Sequence, residues 1–451
     1  MSTQLHLSQL ATLLACPAPI RDAEITGAII DSRKAFLGCL FVALDGEHVD
    51  GHDYIAAARQ AGATAALVSR LQDDELPQLL VADVTKAFGE IAKYWLQQCQ
   101  TTVIAVTGSN GKTTVKEMIA SILRQCGSVV ATQGNLNNDL GVPMTLMNVS
   151  PSTDYAVIEM GASCRGDISR LVEIAPPQFS VINNIAPAHL EGFGDLMGVA
   201  KAKAEIFLGL VEGGVGILNA DMDFVNAWTS VLEGKQIRSF ALENEADITA
   251  HDLQIDATSS HFMVNLDGEF DYINLPLPGK HNVANALAAI AVTSAMNVPA
   301  SAIVKGLAST SSVPHRLQLR TGVNQSQLID DSYNANPGSY TQALATLSSF
   351  SGKHCLVLGD FGELGAESEQ LHRQMGIDAK EAGIQKLWTI GEKSEEASKA
   401  YGSGAVHFHT IEALMNTLKT ELSSDDICLI KGSRFMQLDK LADALAEGGE
   451  S

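Results

Sequence analysis

The sequence predicts an α/β protein of three domains: a mixed α/β N-terminal domain, a central P-loop ATPase domain on a parallel sheet, and a C-terminal Rossmann-like domain. Three observations lead there. A chain of 451 residues exceeds one ordinary core and suits about three units of about 150 residues. Apolar strands alternate with helices along most of its length, the rhythm of parallel sheets covered on both faces. Beginning at Val103, "VIAVTGSNGKTTVKEMIA" runs from a β-branched strand through a Gly/Ser/Asn turn into a helix, the arrangement that holds a phosphate at a helix N-terminus.

Residues 1–98 carry short strands in "GAIIDSR", "CLFVAL", "TAALVS" and "PQLLVAD", with helices in "DYIAAARQAGA" and "KAFGEIAKYWLQQC". Residues 99–317 follow with apolar strands at 103–106, 155–159 and 180–185, each running into polar or Gly-rich residues and then a helix. After "VPHRLQ" a second strand–helix series occupies 318–451, with "QLIDDSYNANP", "HCLVLGD", "KLWTIG" and "DDICLIKG". No second phosphate loop occurs there, so this domain is expected to serve the central site. No internal repeat or low-complexity tract interrupts the pattern.

A formal net charge of -22 argues against a broad electrostatic grip on nucleic acid or anionic lipid. Anionic ligands must be held locally. The 7 cysteines are scattered, without a CxxC pair, and read as ordinary thiols of a reducing compartment. The start "MSTQLHLSQLATLL" lacks a basic region leading into a long apolar one, and no apolar run reaches about 18 residues. A cytoplasmic protein with no nucleic-acid partner and no membrane insertion is expected.

The loop reads T-G-x-x-G-K-T, with Val106 where the standard phosphate loop has its first glycine. Gly108, Ser109, Asn110 and Gly111 can turn backbone N–H groups to a phosphate, Lys112 supplies charge, and Thr113 offers a hydroxyl to Mg²⁺. A structural helix cap is the alternative; Gly-Lys-Thr-Thr directly after a buried strand favours an ATP site. Glu159 ends the strand "YAVIE", where it can reach the same metal or simply be a solvated strand-end carboxylate. His189, after "SVINNI", lies on the same edge; a lone His is often structural, but here it neighbours a carboxylate and a phosphate loop.

Lys203 falls on the apolar face Val199, Ile206, Phe207 and Leu210 of a predicted helix, while Lys201 and Glu205 point away. An inward lysine must lose its charge, find a carboxylate, or snorkel. Beside Mg²⁺ a further option exists: the neutral amine can take up CO₂ as a carbamate, an anionic metal ligand.

"TGSNGKTT", "GNLNNDLGVP", "EMGAS", "NNIAPAHLEGFG", "VAKAKAEIF", "GKHNVANALAA", "VPHRLQ" and "DDSYNANP", in this order, resemble the Mur ligase family of ATP-dependent amide-forming enzymes of peptidoglycan synthesis. The resemblance implies that Lys112 and the loop through Thr114 bind the ATP phosphates. It implies that Thr113, Glu159 and His189 surround two Mg²⁺ ions, and that Lys203 stands where the family has a carbamylated lysine. Lys112, His189 and Lys203 would be catalytic. By the same resemblance His281, Asn282 and Asn285 lie by the adenine, Arg316 and Asp331 approach the ribose and phosphates, and Asn334 and Asn336 neighbour the nucleotide or the incoming amine. Ser32 and Arg33 match the uridine-nucleotide end of the acceptor; Asn137 and Asn138 match the vicinity of the reacting carboxylate. Two bland readings stay open: "GKHNVANALAA" can merely begin a helix with Asn282 as its cap, and Asp330–Asp331 can merely end a strand.

"DDSYNANP" with "LGDFGELG" resembles the C-terminal form of the branch that joins D-Ala-D-Ala to UDP-MurNAc-tripeptide through an acyl phosphate, and the absence of D-N-P-R favours that branch. "DSRKAFLGCLFVALDGEHVDGHDY" resembles the uridine-nucleotide domain that this branch shares with the diaminopimelate-adding one. A monomer is expected. The alternatives are the diaminopimelate-adding branch, a ligase like folylpolyglutamate synthase, or a nucleotide-dependent switch.

Overall fold

The computed structural model describes residues 5–17, 19, 21–46, 49–187, 190–266 and 268–446. Near the N-terminus, Gly27–Ile29, Cys39–Val42, Ala65–Val68 and Gln78–Leu80 form a four-stranded parallel sheet in that order. The period-2 alternation of its side chains divides it between two cores. Leu40, Val42 and Leu67 pack with Phe88 and Ile91 of the helix Val84–Gln97. Phe41, Ala66 and Val68 face Ile55 and Ala58 of the helix Ile55–Gln60. The first of these cores continues without a break into the central sheet through Val103, Ala105, Ala156 and Ile158.

The central sheet has nine strands: Glu269–Leu275, Ser260–Leu266, Ile248–Ile255, Gln236–Ala241, Val215–Asn219, Phe179–Ile182, Thr102–Thr107, Tyr155–Glu159 and Val129–Ala131. The sequence led us to expect parallel pairing alone. Instead Ile248–Ile255, Ser260–Leu266 and Glu269–Leu275 pair antiparallel, as hairpins extending one edge. The reason lies in their pattern: Ser260–Leu266 alternates buried and more exposed positions, as suits a sheet with one wetted face. The predicted strand 180–185 also ends early, at Ile182, because Asn183 and Asn184 turn into the site.

Thr102–Thr107 lies between Phe179–Ile182 and Tyr155–Glu159, so the chain changes direction across the sheet beside it. Such a switch opens a crevice at the strands' carboxyl ends. One face is covered by Met118 and Ile119 of Lys112–Leu123 and by Val283 and Leu287 of Lys280–Ala295. The other face takes Val199 and Ile206 of Leu196–Leu208 and Ile168 of Asp167–Ile174.

The C-terminal sheet runs Gln318–Thr321, Gln327–Asp331, Asp426–Lys431, Lys353–Gly359, Lys386–Ile390 and Ala405–Phe408. All neighbours are parallel except the edge strand Gln318–Thr321. Because the last strand in sequence inserts beside the second, Asp331 and Lys431 come into register at adjacent carboxyl ends. Among the described residues no helix is long and apolar enough to cross a membrane.

Candidate active site

The crevices of the central and C-terminal sheets face one another across a cavity of about 1060 Å³. Ser109, Lys112, Glu159, Arg316, Asp331 and Asn336 are among its lining residues.

The phosphate loop leaves its strand at Thr107, whose Oγ1 donates to Met160 O at 2.8 Å. It enters the helix through Gly111, which has φ of 74°. A Cβ there would lie 2.4 Å from Asn285 Oδ1 and 2.6 Å from Asn183 Nδ2. Gly111→Ala is therefore expected to weaken nucleotide binding at least about tenfold. Left-handed strain alone costs about 1–2 kcal/mol, and the new methyl must also part Asn183 from Asn285, now bonded at 2.7 Å. ADP titration calorimetry reads the loss; unchanged affinity would remove the steric argument.

Lys112 Nζ donates to Gly108 O at 2.8 Å and Ser109 O at 3.3 Å. Burial lowers its pKa, Glu159 works against that, and Arg316 adds to it. Ser109 is pinned from the neighbouring loop: its Oγ donates to Ala186 O at 3.0 Å and accepts from Ala186 N at 2.9 Å. Thr114 also lines the cavity.

Glu159 is 2% exposed. Its Oε2 accepts from Thr113 Oγ1 at 2.8 Å and its Oε1 from Asn137 Nδ2 at 2.7 Å. Among the described residues no cation pairs with it. A buried carboxylate beside a hydroxyl is a hard oxygen donor set and fits Mg²⁺. His189 lies outside the described residues. Asn138 lines the cavity but its Oδ1 accepts from Gly141 N at 2.9 Å, holding the start of the helix Gly141–Leu146.

Lys203 is 2% exposed, inside the helix Leu196–Leu208. Lys201 is exposed, and Glu205 turns away to accept from Gly166 N at 2.8 Å and Ser169 N at 3.1 Å. Leu210, expected on the same helix, is buried just beyond its end. Burial, and then the nearby Lys112, bring the Lys203 amine down to about 7. No carboxylate among the described residues forms an ion pair with it.

His281, Asn282 and Asn285 sit in the first turns of Lys280–Ala295 and line the cavity. Asn282 is not that helix's cap. Gly279 holds the cap position, and Asn282 Nδ2 donates back to Pro278 O at 2.8 Å. Burial lowers His281 to about 4, so it faces the cavity as a neutral imidazole.

From the C-terminal unit, Asp331 ion-pairs with Lys431, whose ammonium also donates to Asn334 O at 3.3 Å. Asp330 is fully buried and faces away, accepting from His315 Nδ1 and Arg320 Nη1, each at 2.9 Å. Arg316 lies over the Tyr333 ring at 4.2 Å and Arg434 approaches it at 5.4 Å. Sequence reasoning missed Lys431, Tyr333, Arg434, Asn183 and Asn184. The paired asparagines breaking the apolar run "SVINNI" were a usable signal; the others depend on pairing between distant strands. Ser32 and Arg33 do not line this cavity: they form a turn in the N-terminal unit, where Arg33 Nε and Nη2 donate to Asp31 at 2.9 and 2.8 Å.

The chain matches the Mur ligase family catalytic domain at residues 24–106, the Mur ligase middle domain at 106–293 and the Mur ligase glutamate ligase domain at 315–434. It is 46% identical over 449 residues to the UDP-N-acetylmuramoyl-tripeptide–D-alanyl-D-alanine ligase of Escherichia coli K12, covering 98% of each chain. Among solved structures it resembles MurF from Acinetobacter baumannii, with a TM-score of 0.90 at 35% identity, covering 98% of this chain and 99% of that one. It also resembles MurF from Thermotoga maritima in complex with ADP, with a TM-score of 0.81 at 27% identity, covering 92% and 96%.

Proposed function

Because this chain belongs to the Mur ligase family, we propose that it joins D-Ala-D-Ala to UDP-MurNAc-tripeptide at the expense of ATP, in the assembly of the peptidoglycan precursor. The observation that carries this reading is the Thr113–Glu159–Asn137 chain of hydrogen bonds. It stands directly behind a phosphate loop, in a cavity that the C-terminal unit completes.

The terminal carboxylate of the tripeptide attacks the γ-phosphorus of ATP, the bond to the β-phosphate oxygen breaks, and ADP leaves an acyl phosphate. The dipeptide amine then attacks the acyl carbon, phosphate departs, and the amine gives up its proton. Carboxylate and triphosphate repel each other, so Lys112 and the loop N–H groups act where charge moves. Thr113 and Glu159 would hold Mg²⁺, with His189 the further candidate; the metal, when bound, would neutralise phosphate charge. Lys203, as a carbamate, would serve a second Mg²⁺. Asn137 orients the Glu159 carboxylate.

Residues 1–98 take the uridine-nucleotide end through Ser32 and Arg33, residues 99–317 bind ATP, and residues 318–451 bring the dipeptide. His281, Asn282 and Asn285 lie towards the base, and Arg316 and Asp331 towards the ribose and phosphates. Closure around the acyl phosphate excludes water, and opening releases product. Substrates of this kind, and the absence of a spanning helix among the described residues, suit a cytoplasmic enzyme.

ADP release is expected to require UDP-MurNAc-tripeptide and D-Ala-D-Ala together. With the dipeptide-stem precursor, free meso-diaminopimelate or L-lysine should give no product above background. A coupled ADP assay over this acceptor panel decides the matter. The reverse preference would move the chain to the diaminopimelate-adding branch, and nucleotide hydrolysis indifferent to both acceptors would favour a switch.

A further inference from the structure

The side chain of Asn110 is not needed to shape its own loop. Its backbone is held from behind: the N–H donates to Asn184 Oδ1 at 2.9 Å, and the carbonyl accepts from Asn183 Nδ2 and Asn184 Nδ2, each at 3.0 Å. The side-chain Oδ1 instead accepts from Asn336 Nδ2 at 2.7 Å, a partner 226 residues away in the C-terminal unit.

Asn336 is the cap of the helix Pro337–Ser348, and its Oδ1 accepts from Ser339 N at 2.9 Å. Ser339 Oγ closes the capping box on Asn336 N at 3.1 Å. This fixes the amide's orientation. An atom facing a backbone N–H must be the oxygen, so the NH₂ is what faces Asn110. One half of the side chain thus holds its own helix and the other holds the phosphate loop. The approach is close: a Cβ on Gly338 would lie 3.3 Å from Ala186 Cβ and 3.4 Å from Asn110 Nδ2.

The loop is tied on its other side as well. Asn183 Nδ2 donates to Asn285 Oδ1, in the helix Lys280–Ala295, which also borders the cavity. Asparagine amides therefore run from that helix through the phosphate loop to the C-terminal unit.

We propose that Asn336 is a positioning residue: its amide latches the C-terminal unit to Asn110, so that the phosphate loop is set for phosphoryl transfer only when the unit that brings the amine is docked. This rests on the ligase reading above. Its chemical logic is that an acyl phosphate made in an open site would be lost to water, whereas a loop completed by docking makes it in a site the C-terminal unit covers.

Two variants separate latch from scaffold. Asn336→Ser keeps a good helix cap but is too short to reach Asn110, and Asn110→Ala removes the acceptor while leaving its backbone bonds. Each is expected to lower kcat for ADP formation about tenfold, as misplacement of a reacting group does. KM for ATP should stay within about twofold of wild type. The double variant should be no slower than the slower single one, because both changes remove the same bond. Wild-type kcat in either variant, a loss confined to KM, or losses that multiply would overturn the latch. Hydrogen exchange over residues 108–114, read without substrates, is expected to quicken in Asn336→Ser while the helix 337–348 keeps its protection. Unchanged exchange in the loop would also overturn the latch, whereas a wild-type protein that releases no ADP with both acceptors present would overturn the ligase reading alone.

Discussion

Lys112→Ala is expected to lower ATP-dependent ligation by at least about 10³-fold, roughly 4 kcal/mol of transition-state stabilisation, while leaving binding of the UDP-linked acceptor intact. The amine is the one positive charge carried by the loop itself, between Gly108 and Thr113. Among the described residues its hydrogen bonds go only to carbonyls of its own loop, at Gly108 and Ser109. Among the described residues, removing it therefore breaks no hydrogen bond between units and no ion pair. Ser32 and Arg33, proposed for the uridine end, lie outside the cavity that Lys112 lines. Calorimetric titration with the UDP-muramyl peptide in the absence of ATP checks the separation. If that affinity falls in step with activity, either the fold has been lost or the two ligands have been assigned to the wrong units.

The residues legible in the sequence were those whose chemistry follows from local spacing. The phosphate loop is one covalent stretch from strand to helix, so its shape could be read without knowing any other contact. Burial of Lys203 followed from helical periodicity, since Val199, Ile206 and Phe207 left it no outward direction. The position of Glu159 followed from the end of an apolar strand.

What stayed hidden depends on register between distant segments. Asp331 meets Lys431 only because the last strand of the C-terminal sheet inserts beside Gln327–Asp331. Asn336 reads locally as a helix cap, which it is; that its second half reaches Asn110 follows from how two units dock. Asn138 holds the start of the next helix, while its neighbour Asn137 reaches Glu159. Adjacent asparagines point in different directions, and only the turn between strand and helix decides which one meets the carboxylate.

Lys203→Ala is expected to lose activity by at least about 10²-fold, the order associated with removing one group that acts on transition-state charge, and to regain part of it in formate or acetate. Burial is the first reason. An ammonium with no ion-pairing carboxylate among the described residues, and with Lys112 close enough to repel it, is disfavoured, and the amine falls to about 7. Near neutral pH a large fraction is then the free base, which can add to CO₂ to give a carbamate and release one proton. The anion would gain what the ammonium lacked, a favourable field from Lys112 and from a metal bound at the proposed Thr113 and Glu159 site. The sign of the linkage follows. Between about 7 and 10.5 the unfolded chain binds the extra proton, so in CO₂-free buffer this group makes stability rise with pH across that interval, and Lys203→Ala should flatten the rise. A small carboxylate can occupy the space left by the truncated side chain and restore the anion without the covalent link. Lys201, exposed two residues earlier, has no such surroundings, and Lys201→Ala should stay within about twofold of wild type. Carbon-13 NMR of protein equilibrated with labelled bicarbonate should show one carbamate resonance that is absent from the Lys203→Ala protein. Full activity in that variant, or a resonance that survives it, would leave Lys203 a buried amine of the core and return its helix to a purely structural role.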